Sequence, residues 1–271
     1  MKRFAVLALS APLLAGCVKI AEEIVLMPDG SGKITYTIAM NPELSAMGGD
    51  PKDPLDEFMS GDPDELQKNA RGIAALGRPE RVEVGGWKGI KLTIYFDDVN
   101  QFSTGDDGKE KTKYSFRKEG EGFVFEQVDK QFDSGEKKEE GEHDDEETKK
   151  QMEEMFRKMM AGFELRGSVK LPGRITDVGV YTKKEGRTAS FAVSEKEIQA
   201  QKDFQKYSNR KAACGASEAS EAEMAGFKKE LAKAKAEWTA LRAEMKKNFE
   251  KKKEKTHSDE PEKPPKKMDD R

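Results

Sequence analysis

The stretch DGSG at residues 29–32 is the first place where residue types and spacing could bind a metal ion. An EF-hand loop needs oxygen ligands at positions 1, 3, 5 and 12 and a glycine at position 6. With its last glycine at position 6, the stretch supplies an Asp at position 3 and a Ser at position 5. Met27 and Ile38 then occupy positions 1 and 12, and neither binds a hard cation. We therefore expect the stretch to be the turn of a β-hairpin.

A second reactive residue is Cys17, which ends the sequence LAGC at 14–17. It follows a basic start and an apolar segment, residues 4–14, that is too short to span a bilayer as a helix. This combination matches the lipobox of bacterial lipoproteins, in which the Cys thiol accepts a diacylglyceryl group. Residues 1–16 are then predicted to be a lipoprotein signal peptide, and Cys17 the lipid attachment residue.

Acyl chains on Cys17 would hold the protein at a membrane, because each buried methylene contributes about 0.8 kcal/mol. The expected location is the bacterial cell envelope, exported and membrane-anchored. Val18 rather than an aspartate follows the cysteine, so sorting to the outer membrane is compatible with the sequence. Cys214 is then the one spare cysteine, which fits a small buried or linker residue or an intermolecular disulfide.

The other chemically capable residues do not form a recognisable constellation. His143 and His257 lie in charged segments, so we expect no zinc site. Asp97 and Asp98 follow a predicted strand and would be the first choice for an acid–base pair, but a strand-ending cap also explains them. The basic run at 246–255 is local, and export would remove the usual nucleic-acid partner. The sequence therefore predicts a protein that is not an enzyme and has no cofactor, metal or nucleic-acid partner.

The elements that position these residues are mostly strands. Charged residues make up 37% of the chain and hydrophobic residues 35%, which is too polar for the whole chain to be packed. We predict an α+β fold over residues 17–207, a mainly antiparallel sheet with a few helices, interrupted by a charged insertion at about 133–150. Alternation and turn signals predict strands at 20–27, 33–40, 81–85, 88–96, 112–117, 122–128 and 164–171. A last hairpin is predicted between 174–182 and 187–193. Short helices are predicted at 63–75 and 195–207.

An apolar helical period at 148–163 is the candidate wall of a ligand site. Its members are Met152, Met155, Phe156, Met159, Met160 and Phe163. Because methionine adapts to irregular apolar shapes, this face could contact a lipid or glycolipid. Packing into the core of the domain is the alternative.

A long amphipathic helix is predicted at 217–255. Its apolar residues repeat with the 3-4 spacing of a coiled-coil seam: Met224, Phe227, Leu231, Ala234, Trp238, Leu241 and Met245. The seam could dock on the domain, or it could bind a partner helix or a second copy and form a homo-oligomer. Residues 256–271 are charged and Pro-rich, and we expect them to be a disordered tail.

Three segments after the lipobox carry a resemblance: PDGSGKITYTI, GGWKGIKLTIYFDDVNQF and GSVKLPGRITDVG. In this order they resemble the LppM-like lipoprotein domain family, from Cys17 to about Val193. The resemblance implies an envelope-anchored α+β domain whose sheet offers an apolar surface to lipid or glycolipid. This sequence departs from the family in one respect. Such proteins often carry a membrane helix near the C-terminus, whereas this chain has a charged helix and tail there. The predicted function is a non-enzymatic lipoprotein that binds lipid or glycolipid; the alternative is a structural adaptor acting through the 217–255 helix.

Overall fold

The computed structural model describes residues 18–41, 53–106, 109–130, 161–198 and 201–258. The helices are α1 (Pro54–Met59), α2 (Pro63–Asn69) and α3 (Glu221–Ser258), and 3-10 turns span Val99–Gln101 and Gln201–Tyr207. The strands are β1 (Val18–Leu26), β2 (Gly32–Met40), β3 (Ala70–Arg71), β4 (Ala75–Leu76), β5 (Glu80–Val84), β6 (Trp87–Phe96), β7 (Ser103–Asp106), β8 (Lys109–Glu119), β9 (Gly122–Asp129), β10 (Glu164–Lys170), β11 (Gly173–Asp177), β12 (Lys183–Glu185), β13 (Thr188–Ser194) and β14 (Asn209–Ser217).

These strands form one eight-stranded and one six-stranded sheet. The first sheet has the order β12-β13-β10-β1-β2-β6-β4, with β5 also paired to β6, and the second has the order β11-β14-β9-β8-β7-β3. The pairing of β1 with β10 is parallel, and the neighbouring pairs on either side of it are antiparallel. The predicted α+β class, a mainly antiparallel sheet with a few helices and a long C-terminal helix, is confirmed.

The core lies between facing sides of the two sheets. Alternation in the first sheet directs Ile24 and Ile34 inward, and both are at most 2% exposed. The second sheet contributes stacked aromatic rings, such as Phe116 and Phe123, whose centroids lie 5.1 Å apart. These buried side chains belong to one continuous apolar cluster, so the sheets form a sandwich with a single shared interior.

The turn between β1 and β2 confirms the hairpin prediction for the DGSG stretch. The Asp29 carboxylate accepts hydrogen bonds from the amide of Ser31 at 3.1 Å and from its hydroxyl at 2.5 Å. Gly30 has a φ of 84°, a conformation that glycine adopts without a steric penalty. The oxygen atoms that suggested calcium are therefore used to close a tight turn.

Several predicted elements differ from the observed ones. The helix expected over 63–75 ends at Asn69, because the chain from Ala70 pairs with β7. The hairpin of 174–182 with 187–193 is wrong: β11 pairs with β14 in the second sheet, and the short β12 pairs with β13. The helix expected over 195–207 is a 3-10 turn from Gln201 to Tyr207.

Strand β14 is missing from the sequence prediction. It lies between β11 and β9, and so the second sheet continues beyond residue 207, where the sequence places the end of the domain. Cys214 is on this strand, free and 4% exposed, in agreement with the prediction of a small buried residue. Burial raises the pKa of its thiol, which lowers the fraction of reactive thiolate.

The apolar seam of α3 faces the protein's own first sheet. Phe227, Leu231 and Ala234 form a buried cluster with Met27, Ala75 and Tyr95. Further along the helix, Leu241 and Met245 join the main core and are 3% and 1% exposed. The seam therefore docks on the protein's own domain, which is one of the two alternatives for it. Among the described residues, no helix is both long and apolar enough to cross a bilayer.

Ion pairs and a tyrosine hydrogen bond hold the first half of α3 against the sheet. Glu230 accepts hydrogen bonds from Lys33 Nζ at 2.6 Å and from the Tyr95 hydroxyl at 2.8 Å. Glu223 accepts from Arg187 Nη1 at 2.6 Å and from Lys170 Nζ at 2.8 Å. These partners come from strands and loops far from the helix in sequence, so they fix the position of α3 along the sheet.

The contacts of Glu223 are expected to make the docking of α3 pH-dependent. Hydrogen bonds from Arg187 and then Lys170 lower the pKa of its carboxyl. A depressed folded-state pKa adds stability above the ordinary value of about 4.3, and this is lost as the pH falls through the folded-state value. We expect the melting temperature of wild type to fall between about pH 5 and 3, and Glu223→Gln to reduce that fall. The exposed Glu221→Gln is the control, and equal pH profiles for wild type and Glu223→Gln would contradict the assignment.

Candidate functional site

Several strand ends meet at one end of the first sheet, which we call the Val18 end. There β1 begins at Val18, β2 ends at Met40 and β6 begins at Trp87. Val18 pairs with Met40, and Met40 pairs with Lys88, so these ends lie level with one another. Strand β10, parallel to β1, also begins here, at Glu164. Strands β1 and β10 therefore both begin at this one end.

A row of four aliphatic side chains, the aliphatic row, crosses the inner face of the sheet near the Val18 end. Leu165, Ile20, Ile38 and Ile90 lie opposite one another on four adjacent strands. All four are half-buried, whereas the inner-face residues deeper along the same strands are buried. The row is thus the edge of the apolar interior, where part of the surface remains accessible.

A buried polar cluster lies directly behind the aliphatic row. Glu22 and Tyr36 form the next cross-strand pair of the first sheet, and they face Tyr114, Gln127 and Arg210 of the second sheet. The Glu22 carboxylate accepts from Tyr36 at 3.0 Å and from Gln127 Nε2 at 3.3 Å, and it is ion-paired with Arg210 Nη1. The Tyr36 and Tyr114 hydroxyls lie 3.0 Å apart.

The electrostatics of the polar cluster favour a neutral tyrosine pair beside a charged ion pair. Burial, together with nearby Glu22, raises the pKa of Tyr36 and of Tyr114 well above the ordinary value. For Arg210, burial disfavours the charge, but Glu22 and the nearby tyrosines outweigh it and raise its pKa. The Glu22 oxygens are occupied by four side chains. The cluster is therefore suited to cross-linking the two sheets.

Trp87 lies on the outer face of the Val18 end. Its indole is half-buried, and Lys19 Nζ lies 4.7 Å from the ring centroid. A Cβ on Gly162 would come within 2.8 Å of the ring, so the absence of a side chain there lets the indole pack against the chain just before β10. Lys19 Nζ is also 3.5 Å from the Glu164 carboxylate.

Most of the predicted site residues fall outside the described residues. These are the lipid attachment residue Cys17 and the wall residues Met152, Met155, Phe156, Met159 and Met160. Phe163, the last wall residue, is described and is 3% exposed. Its ring packs edge-on against Phe204 at a centroid distance of 5.5 Å, which is the core-packing alternative for this residue. The charged insertion at 133–150 also lies outside the described residues.

The acidic candidates have structural partners. Asp98 accepts from the amide of Asn100 at 2.9 Å and caps the 3-10 turn that follows, which confirms the capping interpretation. Asp97 binds Lys235 of α3 through both carboxylate oxygens at 2.8 Å. In the described ranges, no group of three or more His, Cys, Asp or Glu side chains has a geometry that could hold a metal ion.

The polar cluster itself was not predicted from the sequence. Glu22 has a local signal, since it occupies an inward position of β1 between Ile20 and Ile24, where an aliphatic residue is expected. Arg210 has a comparable position on β14, but this strand was not recognised. The pairing joins residues 188 positions apart, so sequence periodicity carries no signal for it.

Comparison with known proteins gives one distant structural likeness. The chain is similar to the NMR structure of the folded domain of the Mycobacterium tuberculosis LppM protein, with 10% identity and a TM-score of 0.39 over 75% of this chain and 92% of that chain. No family model and no curated protein matches the sequence. A likeness at this level does not assign the chain to a family.

Proposed function

We propose that this protein is a lipid-anchored, non-enzymatic lipoprotein of the bacterial cell envelope, whose domain binds the acyl chain of a lipid or glycolipid at the Val18 end. The aliphatic row is the observation that carries this proposal. Ile20 is two residues from Val18, so the row lies about 7 Å along the strand from the first described residue. Val18 is bonded to Cys17, the expected acylation site.

The chemistry of the row fits an acyl chain better than a polar ligand. Full burial of an aliphatic side chain contributes about 1.5–3 kcal/mol, and half-buried side chains retain part of this gain for a ligand. The four side chains lie on neighbouring strands, and neighbouring strands are about 4.8 Å apart. They therefore form an apolar strip roughly 15 Å long, comparable to much of an extended acyl chain.

The polar cluster supports the same proposal by closing the interior behind the row. Glu22 and Tyr36 are two residues further from the Val18 end than Ile20 and Ile38, so they point to the same face of the sheet. They are 4% and 1% exposed. A ligand at the row would meet a polar, fully bonded layer and would not extend into the core. The site would therefore hold an acyl chain along the edge of the sheet.

The adaptor alternative has less support from the described contacts. Its recognition element would be the seam of α3, and Phe227, Leu231 and Ala234 of that seam are covered by the first sheet. The residues of α3 that remain exposed are mainly Lys, Glu and Ala. A partner helix would have to displace the protein's own sheet before it could reach the seam.

The ligand proposal is tested on a chain that starts at Val18, with binding of a fluorescent fatty acid as the measurement. Ile38→Thr keeps a β-branched side chain but places a hydroxyl in the row, and we expect affinity to fall about five- to tenfold. Thr37→Ser on the outer face of the same strand is the matched control and should bind like wild type. Circular dichroism checks that both variants fold.

Two results would contradict the proposal. One is a folded wild-type chain that binds no fatty acid and co-purifies with no lipid. The other is equal affinity in Ile38→Thr and Thr37→Ser, which would place the ligand away from the row. The anchor is tested separately by the mass of the N-terminal peptide, which should carry acyl groups on Cys17 and lose them in Cys17→Ser.

A further inference from the structure

Trp87 occupies the outermost level of the Val18 end. It lies one residue beyond the cross-strand row formed by Val18, Met40 and Lys88. The turn before it is tight, since Gly85 and Gly86 have φ values of 57° and 81°. Both glycines are exposed, so the turn that carries Trp87 faces solvent at this end.

Covalent and sheet geometry limit how far Trp87 can be from the expected lipid attachment. Neighbouring Cα atoms are about 3.8 Å apart, and paired Cα atoms of adjacent antiparallel strands are about 4.5–5.5 Å apart. The route runs from Cys17 to Val18, across the strand pairs through Met40 to Lys88, and on to Trp87. The Cα atoms of Cys17 and Trp87 are therefore no more than about 19 Å apart. Diacylglyceryl groups on Cys17 would place its backbone at the lipid headgroups, and Trp87 must then lie close to the same surface.

The surroundings of the indole suit an interface between protein, headgroups and water. The indole of Trp87 packs against Gly162 and the ammonium of Lys19, and the residue stays partly exposed. Trp and Lys both combine an apolar body with a polar end, and for this reason both are favoured at membrane surfaces. Lys88, next to Trp87, is exposed and lies opposite Glu83 on β5, so it is the apolar ring rather than a net charge that suits this end to lipid.

We infer that Trp87, supported by Lys19, forms a membrane-contact surface, in which the indole inserts at headgroup level into the bilayer that holds Cys17. The inference rests on the acylation of Cys17 proposed above. The occupant of this surface is a phospholipid bilayer, because Cys17 is bonded directly to the first residue of β1 and would hold the Val18 end at the membrane. The aliphatic row then opens toward the acyl chains.

The experiment uses the two tryptophans of the chain as reporters. Acylated full-length protein is reconstituted into vesicles of phosphatidylcholine and phosphatidylglycerol that carry bromine near the top of the acyl chains. In Trp238→Phe, the remaining Trp87 emission should fall by more than about half relative to unbrominated vesicles. In Trp87→Phe, the remaining Trp238 packs beside the Met27 cluster at the far end of β1 and should be little quenched.

Flotation of the vesicles separates this inference from the anchor. Protein that floats with the vesicles while Trp87 emission is unchanged overturns the membrane contact and leaves the anchor intact. Protein that does not float overturns the anchor and, with it, the contact. The unsubstituted protein gives the same readout without any risk of misfolding. If the two tryptophans contribute comparably, the expected loss of Trp87 emission should remove about a quarter or more of the total.

Discussion

Replacing Arg210 with methionine is expected to lower the free energy of unfolding by about 3–5 kcal/mol. The substitution leaves the Glu22 carboxylate buried between the two sheets with its charged partner removed. Arg210 also donates to the carbonyl of Tyr207 at 3.0 Å and lies over the Phe191 ring, 5.2 Å from its centroid. Methionine keeps the apolar bulk near Phe191, so the loss combines the uncompensated charge with the lost hydrogen bond to Tyr207.

A double-mutant cycle measured by urea unfolding isolates the pairing of Arg210 with Glu22. We expect Glu22→Gln and Arg210→Met to be destabilising alone, and the double variant to be less destabilised than their sum by at least about 2 kcal/mol. The reason is that the double variant carries a neutral side chain at both positions, so neither partner is left as an unpaired buried charge. The two residues are 4% and 8% exposed, so solvent screens their interaction poorly.

An exposed pair on the same sheet provides the matched control. Arg117 Nη1 lies 3.1 Å from Glu126 Oε2, with side chains 48% and 34% exposed. Arg117→Met should cost no more than about 1 kcal/mol, because solvent screens a pair on the outer face. If Arg210→Met and Arg117→Met have the same effect, the polar cluster does not cross-link the sheets in solution.

The cycle also bears on the proposed ligand site. The polar cluster forms the layer behind the aliphatic row, so its loss should loosen the edge of the sheet where Ile20 and Ile38 lie. Arg210→Met should therefore weaken fatty-acid binding more than Arg117→Met does, at a temperature where both remain folded. Equal binding would show that the row keeps its shape without the ion pair behind it.

Local periodicity predicts the strands that have regular alternation. Residues 33–40 alternate between apolar and polar side chains, and the observed β2 spans Gly32–Met40. The aromatic residues of 112–117 and 122–128 likewise predict the β8–β9 hairpin. In these segments the sequence contains the whole signal, since each strand pairs with a neighbour that is close along the chain.

Strand β14 has no such signal. Its residues include Arg, Lys, Ala, Cys and Gly and no β-branched side chain, so its intrinsic strand propensity is low. It is stabilised by pairing with β9 and β11 on its two sides, and β9 lies on the other side of the charged insertion in sequence. Because Arg210 lies on this strand, the positively charged residue of the polar cluster could not be predicted either.

The seam of α3 illustrates a different limit. The 3-4 spacing predicts which residues are buried, and five of its seven members are buried. The same spacing does not identify the surface that buries them, since a sheet and a second helix both accept such a stripe. The answer depends on Met27, Ala75 and Tyr95, which come together only once the first sheet has formed.

Substituting Ala234 with glutamate is expected to release α3 from the sheet and to lower stability by at least about 3 kcal/mol. Ala234 is 5% exposed and packs in the cluster with Met27, Ala75 and Tyr95, so a carboxylate there would be buried without a partner. Ala236, two positions further along the helix, is exposed. Ala236→Glu changes the same residue type in the same helix and should stay within about 0.5 kcal/mol of wild type.

Urea unfolding and limited trypsin digestion measure the two variants. The Lys-rich helix should be cleaved faster in Ala234→Glu than in Ala236→Glu, because a released helix is accessible to protease. Equal cleavage and equal stability would contradict the docking of α3.

The oligomeric state measured by sedimentation tests the adaptor alternative. We expect a chain starting at Val18 to be monomeric, since its seam is covered; a dimer that is lost in Ala234→Glu and kept in Ala236→Glu would instead favour recognition through α3.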